Sequence, residues 1–91
     1  MSAGRQRLDK WLWFARFART RSMAARLVSD GHVRVNGTRA DAPAKAIHCG
    51  DVLTVAAPPG TMLVRVLDLG ERRGGAPEAQ RLYEQVGEAA S

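Results

Sequence analysis

Cysteine is almost absent from this chain: Cys49 is the only one in 91 residues. A single thiol closes no intrachain disulfide, and such sparing use suits a reducing compartment. Long apolar runs are missing too. Nothing approaches the roughly 20 residues that a membrane-spanning helix needs, and the opening MSAGRQR has no apolar core of a secretory signal. The expectation is a cytoplasmic protein with no membrane partner. Phosphate-loop glycine patterns are absent. Histidine occurs twice, as His32 and His48. Neither has a nucleophile or a paired carboxylate at a recognisable spacing, and with Cys49 they are too few for a zinc site. No catalytic residue, metal, cofactor or small-molecule substrate is therefore expected.

Acidic residues are the next scarcity, and their distribution is uneven. Residues 1–40 hold nine Arg and Lys against Asp9 and Asp30, a balance of +7, whereas residues 41–91 hold five against seven acids, a balance of −2. Positive charge thus belongs to one half of the chain, the footprint of a surface for a polyanion. Twelve of the fourteen basic residues are Arg. Guanidinium forks onto phosphate better than ammonium does, although a codon bias toward Arg gives the same count, so position counts for more than type.

Leu8, Trp11, Leu12 and Ala15 recur at helical spacing and predict a first short helix with one buried stripe. Thr20 or Ser22 caps a second, whose apolar face is Met23, Ala24, Leu27 and Val28, with Gly31 as left-handed terminator. Asp9 and Asp30 fall at helix ends, as caps. His32–Asn36 switches to period two, with Val33 and Val35 on one side, and Asn36-Gly37 suits a tight hairpin turn. Residues 1–6 read as a flexible arm and 41–51 as a loop anchored by Ile47. Val52–Ala56 and Met62–Leu69 read as strands around a Pro58-Pro59-Gly60 turn. Residues 70–76 form a connector, and Pro77 opens a last helix with Ala79, Leu82, Tyr83 and Val86 on its apolar face.

The fold class is α+β: two short N-terminal helices packed on a small, mostly antiparallel sheet, with a C-terminal helix. Trp11 belongs to the core. Trp13, Phe14 and Phe17 are read as covered by the C-terminal helix rather than as base-stacking residues, because three exposed aromatics make a large apolar patch.

The candidate binding set is Arg5, Arg7, Lys10, Arg16, Arg19, Thr20, Arg21, Ser22, Arg26, His32 and Arg34. Arg21, Ser22, Arg26 and Ser29 fall opposite the apolar face of the second helix. The start of that helix offers free N–H groups and a positive dipole end to phosphate. An ordinary solvated helix face carries both signs of charge; these two patterns carry almost no compensating acid.

These residues resemble the RNA-binding domain named after small-subunit ribosomal protein S-four. The resemblance rests on Arg7-Leu8-Asp9, then Thr20-Arg21, Ala25-Arg26, the run Gly31-His32-Val33-Arg34-Val35-Asn36-Gly37, and Gly50-Asp51. A closer resemblance is to the ribosome-associated heat-shock protein fifteen family, through Arg7–Trp13, Ala15-Arg16-Phe17 and Pro77–Glu84. It implies a non-enzymatic protein that binds structured ribosomal RNA, on large subunits that still hold peptidyl-tRNA, in rescue of stalled ribosomes or the heat-shock response. Residues 5–69 would then be the RNA-binding domain, and 70–91 a connector and helix packed on it. The alternative is a DNA-binding helix-turn-helix, which the two short helices fit superficially and the hairpin directly after them does not. An RNA-modifying enzyme is a third possibility, since the same module is appended to such enzymes, but too few residues remain here for a catalytic domain.

Overall fold

Leu8, Trp11 and Leu12 have no exposed surface, and Ala15 is 4% exposed, so the first predicted stripe is the centre of the core. In the computed structural model, which describes residues 4–57 and 60–88, the stripe lies on α1 (Leu8–Phe14) and the turn after it. The second helix, α2 (Arg21–Ser29), packs against α1 through Ala24 and Val28. Both helices end in the same way. After α1 the Phe17 N–H donates to Leu12 O and the Arg16 N–H to Trp13 O; after α2 the His32 N–H donates to Leu27 O and the Gly31 N–H to Val28 O. This is the Schellman closure, with a left-handed residue at its corner. Gly31 takes that place at φ 87°, as expected, and Arg16 takes it at φ 65°.

Seven strands complete the described chain: β1 (Gln6–Arg7), β2 (Val33–Val35), β3 (Thr38–Arg39), β4 (Ala46–Ile47), β5 (Val52–Ala57), β6 (Gly60–Val66) and β7 (Tyr83–Glu88). β1 pairs with β4, and the rest form one sheet in the order β3-β2-β5-β6-β7, every pairing antiparallel. Alternation explains the layering: Val33, Val35, Leu53, Val55, Val64 and Val66 are buried under the helices, while Arg34, Thr54 and Arg65 occupy the other face. Asn36 and Gly37 turn the β2–β3 hairpin at φ 51° and 85°, the conformation predicted for that pair.

The α+β architecture with a final helix is as expected, but several boundaries are not. The final helix, α3 (Ala76–Gln80), has Pro77 in its first turn and only five residues. Leu82, Tyr83 and Val86 are not on it: Leu82 follows it in a turn, and the other two lie on β7 against β6. Pairing with β6 satisfies backbone groups that a one-turn helix leaves open. Gln6, at the end of the predicted 1–6 arm, is not free: with Arg7 it pairs with β4 inside the predicted 41–51 loop. The strand predicted at Met62–Leu69 runs instead from Gly60 to Val66, and β5 extends to Ala57. Pro58 and Pro59 of the predicted turn lie outside the described residues. Met23 is 48% exposed rather than core. Asp30 sits at the C-terminal end of α2, where a carboxylate opposes the helix dipole instead of capping it.

Phe14 is buried, and Trp13 and Phe17 are half-buried. Phe14 borders a cleft with Glu78 and Ala79 of α3 and with Leu82 just after it, whereas Phe17 and Trp13 are met from other elements. Tyr83 on β7 lies 5.1 Å from the Phe17 ring, and Arg73 stands 5.7 Å over Trp13. The Trp11 indole N–H donates to Asp68 O at 2.8 Å, which ties α1 to the segment after β6.

Candidate nucleic-acid interface

Asp9 organises the first part of the site. It is 3% exposed, the one charged residue in the described core. Its Oδ1 accepts from Arg7 Nε at 3.0 Å and from the Lys10 backbone N–H at 2.8 Å, and its Oδ2 accepts from Arg7 Nη2 at 3.1 Å. Arg21 Nε lies 3.8 Å from Oδ2. One carboxylate therefore draws Arg7, from the strand before α1, to Arg21, the first residue of α2. The hydrogen bond to Asp9 and its charge raise the Arg7 guanidinium above its ordinary pKa, against a smaller lowering by desolvation. Arg7 stays charged at every physiological pH.

Thr20 sits at the N-cap of α2 and its hydroxyl accepts from the Met23 N–H at 3.1 Å. The cap fixes where the helix starts and leaves its first N–H groups open beside Arg19, Arg21 and Ser22, all of them exposed. Arg26 follows on the exposed side of α2. Arg26 and His32 line one groove with Met23 and Phe17. Arg5 and Arg7 line a shallow pocket beside β1 and β4.

The remaining residues of the expected set are placed differently. The Arg16 guanidinium donates to Gly74 O at 3.0 Å, reaching the 70–75 segment. Lys10 Nζ stands 5.6 Å over the Phe14 ring. Arg34 lies directly opposite Arg39 across the β2–β3 hairpin. Arg39 was not in the expected set, yet its position was readable: a two-residue Asn36-Gly37 turn makes 34 and 39 face each other. Its guanidinium lies against the Gly31 backbone, within 2.8 Å of where a Cβ would stand.

Asn36 and Asp51 interlock. Asn36 Nδ2 donates to Asp51 Oδ1 at 3.2 Å, the Val52 N–H donates to Asn36 Oδ1 at 2.9 Å, and Asp51 Oδ2 accepts from the His48 N–H at 2.8 Å. These two motif positions hold the hairpin to the turn before β5. Among the described residues no cluster of His, Cys, Asp and Glu is arranged to hold a metal ion, and no helix is long and apolar enough to cross a membrane.

The ordered motif and its geometry have counterparts elsewhere. The S4 domain model matches residues 6–53, the stretch from β1 into β5 that carries Asp9, Thr20, Gly31 and the Asn36–Asp51 clasp. A trimeric structure of Vibrio cholerae Heat Shock Protein 15 superposes with a TM-score of 0.85 at 41% identity, covering 91% of this chain and 83% of that one. This chain belongs to the S4-domain family, in its heat shock protein 15 group. The Heat shock protein 15 homolog of Aeromonas salmonicida is 47% identical over 80 residues, which are 88% of this chain and 60% of the relative. The small ribosomal subunit protein uS4 of Xanthobacter autotrophicus is 39% identical over 69 residues, 74% of this chain and 34% of that protein. The chain thus spans about three fifths of the length of the curated heat shock protein 15 relative from Aeromonas.

Proposed function

We propose that this chain is a non-enzymatic, cytoplasmic RNA-binding protein that associates with the ribosome, and that its partner is structured ribosomal RNA. One observation carries the reading. In the second half Arg65 and Arg72 are paired with Glu84 and Glu78, Arg73 donates to Trp13 O, and Arg81 has no carboxylate partner among the described residues, whereas five arginines of the first half, Arg5, Arg19, Arg26, Arg34 and Arg39, have no carboxylate within 4 Å among the described residues. Five unpaired guanidinium groups on an ordered scaffold suit phosphate oxygens. The set Arg5, Arg7, Lys10, Arg19, Thr20, Arg21, Ser22, Arg26, His32 and Arg34 would make the contact, with Arg39 added to it. Arg16 would contribute only the donors that its bond to Gly74 leaves free. Residues 5–69 would form the binding unit and the following segment its brace. S4-domain membership and the ribosomal relative favour RNA over duplex DNA, and the helix-turn-helix alternative gains nothing from either. The finer proposal is a large-subunit site on ribosomes that still hold peptidyl-tRNA, engaged during rescue or heat shock.

The test is binding of purified large-subunit ribosomal RNA across a potassium chloride series, with duplex DNA as competitor. Neutralising about five phosphates gives a log–log salt slope of roughly −4. A flat slope, or DNA displacing the RNA, would refute the reading. Crosslinking in cells with sequencing of the bound RNA checks the large-subunit site.

A further inference from the structure

An apolar groove opens between α2, the turn after α1 and the end of β5. Its apolar part includes Phe17, Met23 and Leu27, and Arg26, Asp30 and His32 line it with polar groups. Three features of this groove remain accessible to solvent. Met23 is 48% exposed on a helix whose other apolar residues are at least half-buried. The Phe17 ring is fixed by Tyr83 at 5.1 Å and Trp11 at 6.1 Å, yet it is only partly buried. The Asp30 carboxylate has no ion pair and no side-chain hydrogen bond among the described residues, and it sits at the helix end that disfavours it.

Asp30 is also one of only two acids in the first 40 residues, and the other, Asp9, is held by Arg7 and Arg21. A free carboxylate on a phosphate-binding face repels the backbone it sits among. It attracts the N–H donors of a base edge. Unpaired RNA bases are recognised by stacking on aromatic and apolar side chains together with hydrogen bonds to the Watson–Crick edge. Guanine presents two adjacent donors there, N1–H and N2–H, which match the two oxygens of a carboxylate. Uracil presents one.

We propose that this groove takes a single unpaired nucleobase of the bound RNA, with guanine preferred. Phe17, Met23 and Leu27 hold its face, Asp30 accepts from its Watson–Crick edge, and Arg26 holds an adjoining phosphate. The proposal rests on the RNA-binding reading and adds base selection to a surface that otherwise reads shape.

The test uses the full chain and three RNA hairpins with one common stem: fully paired, with one bulged guanosine, and with one bulged uridine. Fluorescence anisotropy at fixed salt gives the affinities, and the Met23 methyl resonance, assigned against Met1 and Met62, reports the groove. The guanosine bulge should bind about tenfold more tightly than the paired stem and shift the Met23 methyl. Asp30→Asn should cut that preference to less than about twofold while the paired stem binds as well or better; Asp30 is exposed, so the fold survives the change. Equal affinity for the three hairpins with an unmoved Met23 methyl would overturn the base site and leave RNA binding standing. A guanosine preference that persists in Asp30→Asn, or a Met23 methyl that responds only to an apolar protein segment, would also overturn it. Failure to bind any hairpin or ribosomal RNA would sink both readings.

Discussion

Arg7 grips Asp9 with both edges of its fork, Nε on Oδ1 at 3.0 Å and Nη2 on Oδ2 at 3.1 Å. The carboxylate is buried and the guanidinium half-exposed, at 5% and 50% of their side-chain surface. Asp9 thus anchors a cation that still faces solvent. Asp9→Asn keeps the shape and removes the charge that holds Arg7 and Arg21 near each other. The expected result is a loss of about 1–2 kcal/mol, read as a drop in thermal midpoint of roughly 4–8 °C per kcal/mol for a domain of this size. Salt should narrow the gap only partly, because the carboxylate is buried. Unchanged stability would mean that Asp9 does not anchor the pair.

Two local devices set the ends of α2. Thr20→Ala removes the side-chain acceptor for the Met23 N–H and should cost about 1 kcal/mol, with Thr20→Ser restoring most of it. Gly31→Ala places a Cβ at φ 87° and within 2.8 Å of the Arg39 guanidinium. The left-handed strain costs about 1–2 kcal/mol, and Arg39 must move as well. Denaturant melts of the two variants give the costs. Amide exchange should show fraying at the N-terminal turn for Thr20→Ala and at Gly31–Val33 for Gly31→Ala.

Asn36 separates backbone from side chain in one residue. It holds φ 51° in the hairpin turn and clasps both Asp51 and the Val52 N–H. Asn36→Gly keeps the turn and loses the clasp, at a cost of about 1 kcal/mol, whereas Asn36→Ala loses both and should cost about 2–3 kcal/mol. Asn36→Gly melting with the parent would show that the clasp to Asp51 contributes nothing, and equal melting of the two variants would show the same of the left-handed turn.

The parts of the fold legible in the sequence are those whose cause is local. Thr20, Gly31 and Asn36-Gly37 announce a cap, a helix stop and a turn through chemistry confined to a few residues, and Leu8–Trp11–Leu12 announces a buried stripe by its period. The C-terminal strand was not legible, because the spacing of Leu82, Tyr83 and Val86 fits a helix. What decides the matter is β6, which presents Met62–Val66 as an unpaired edge for β7 to join. β1 was hidden for the same reason, its partner Ala46–Ile47 lying about forty residues away. In the candidate site, charge marks the arginine-rich half of the chain but says nothing of the company each arginine keeps. Arg16 sits in a left-handed helix stop and reaches Gly74, a conformation that neither its charge nor its helical spacing foretells.

Arg34 and Arg39 face each other on neighbouring strands with no carboxylate within 4 Å among the described residues. Like charges directly opposite in a sheet destabilise it by about 0.2–1 kcal/mol, so the fold alone gives no reason to keep the pair. A phosphate between or beside them reverses the sign. Arg34→Thr, with a good strand former beside Thr54, should therefore leave stability unchanged or raise it by up to about 1 kcal/mol. It should also weaken binding to ribosomal RNA and reduce the salt slope by about one unit. Opposite movements of melting temperature and RNA affinity in a single variant are the signature of a residue held for binding. A variant that loses stability and keeps its affinity would place Arg34 in the structural scaffold instead.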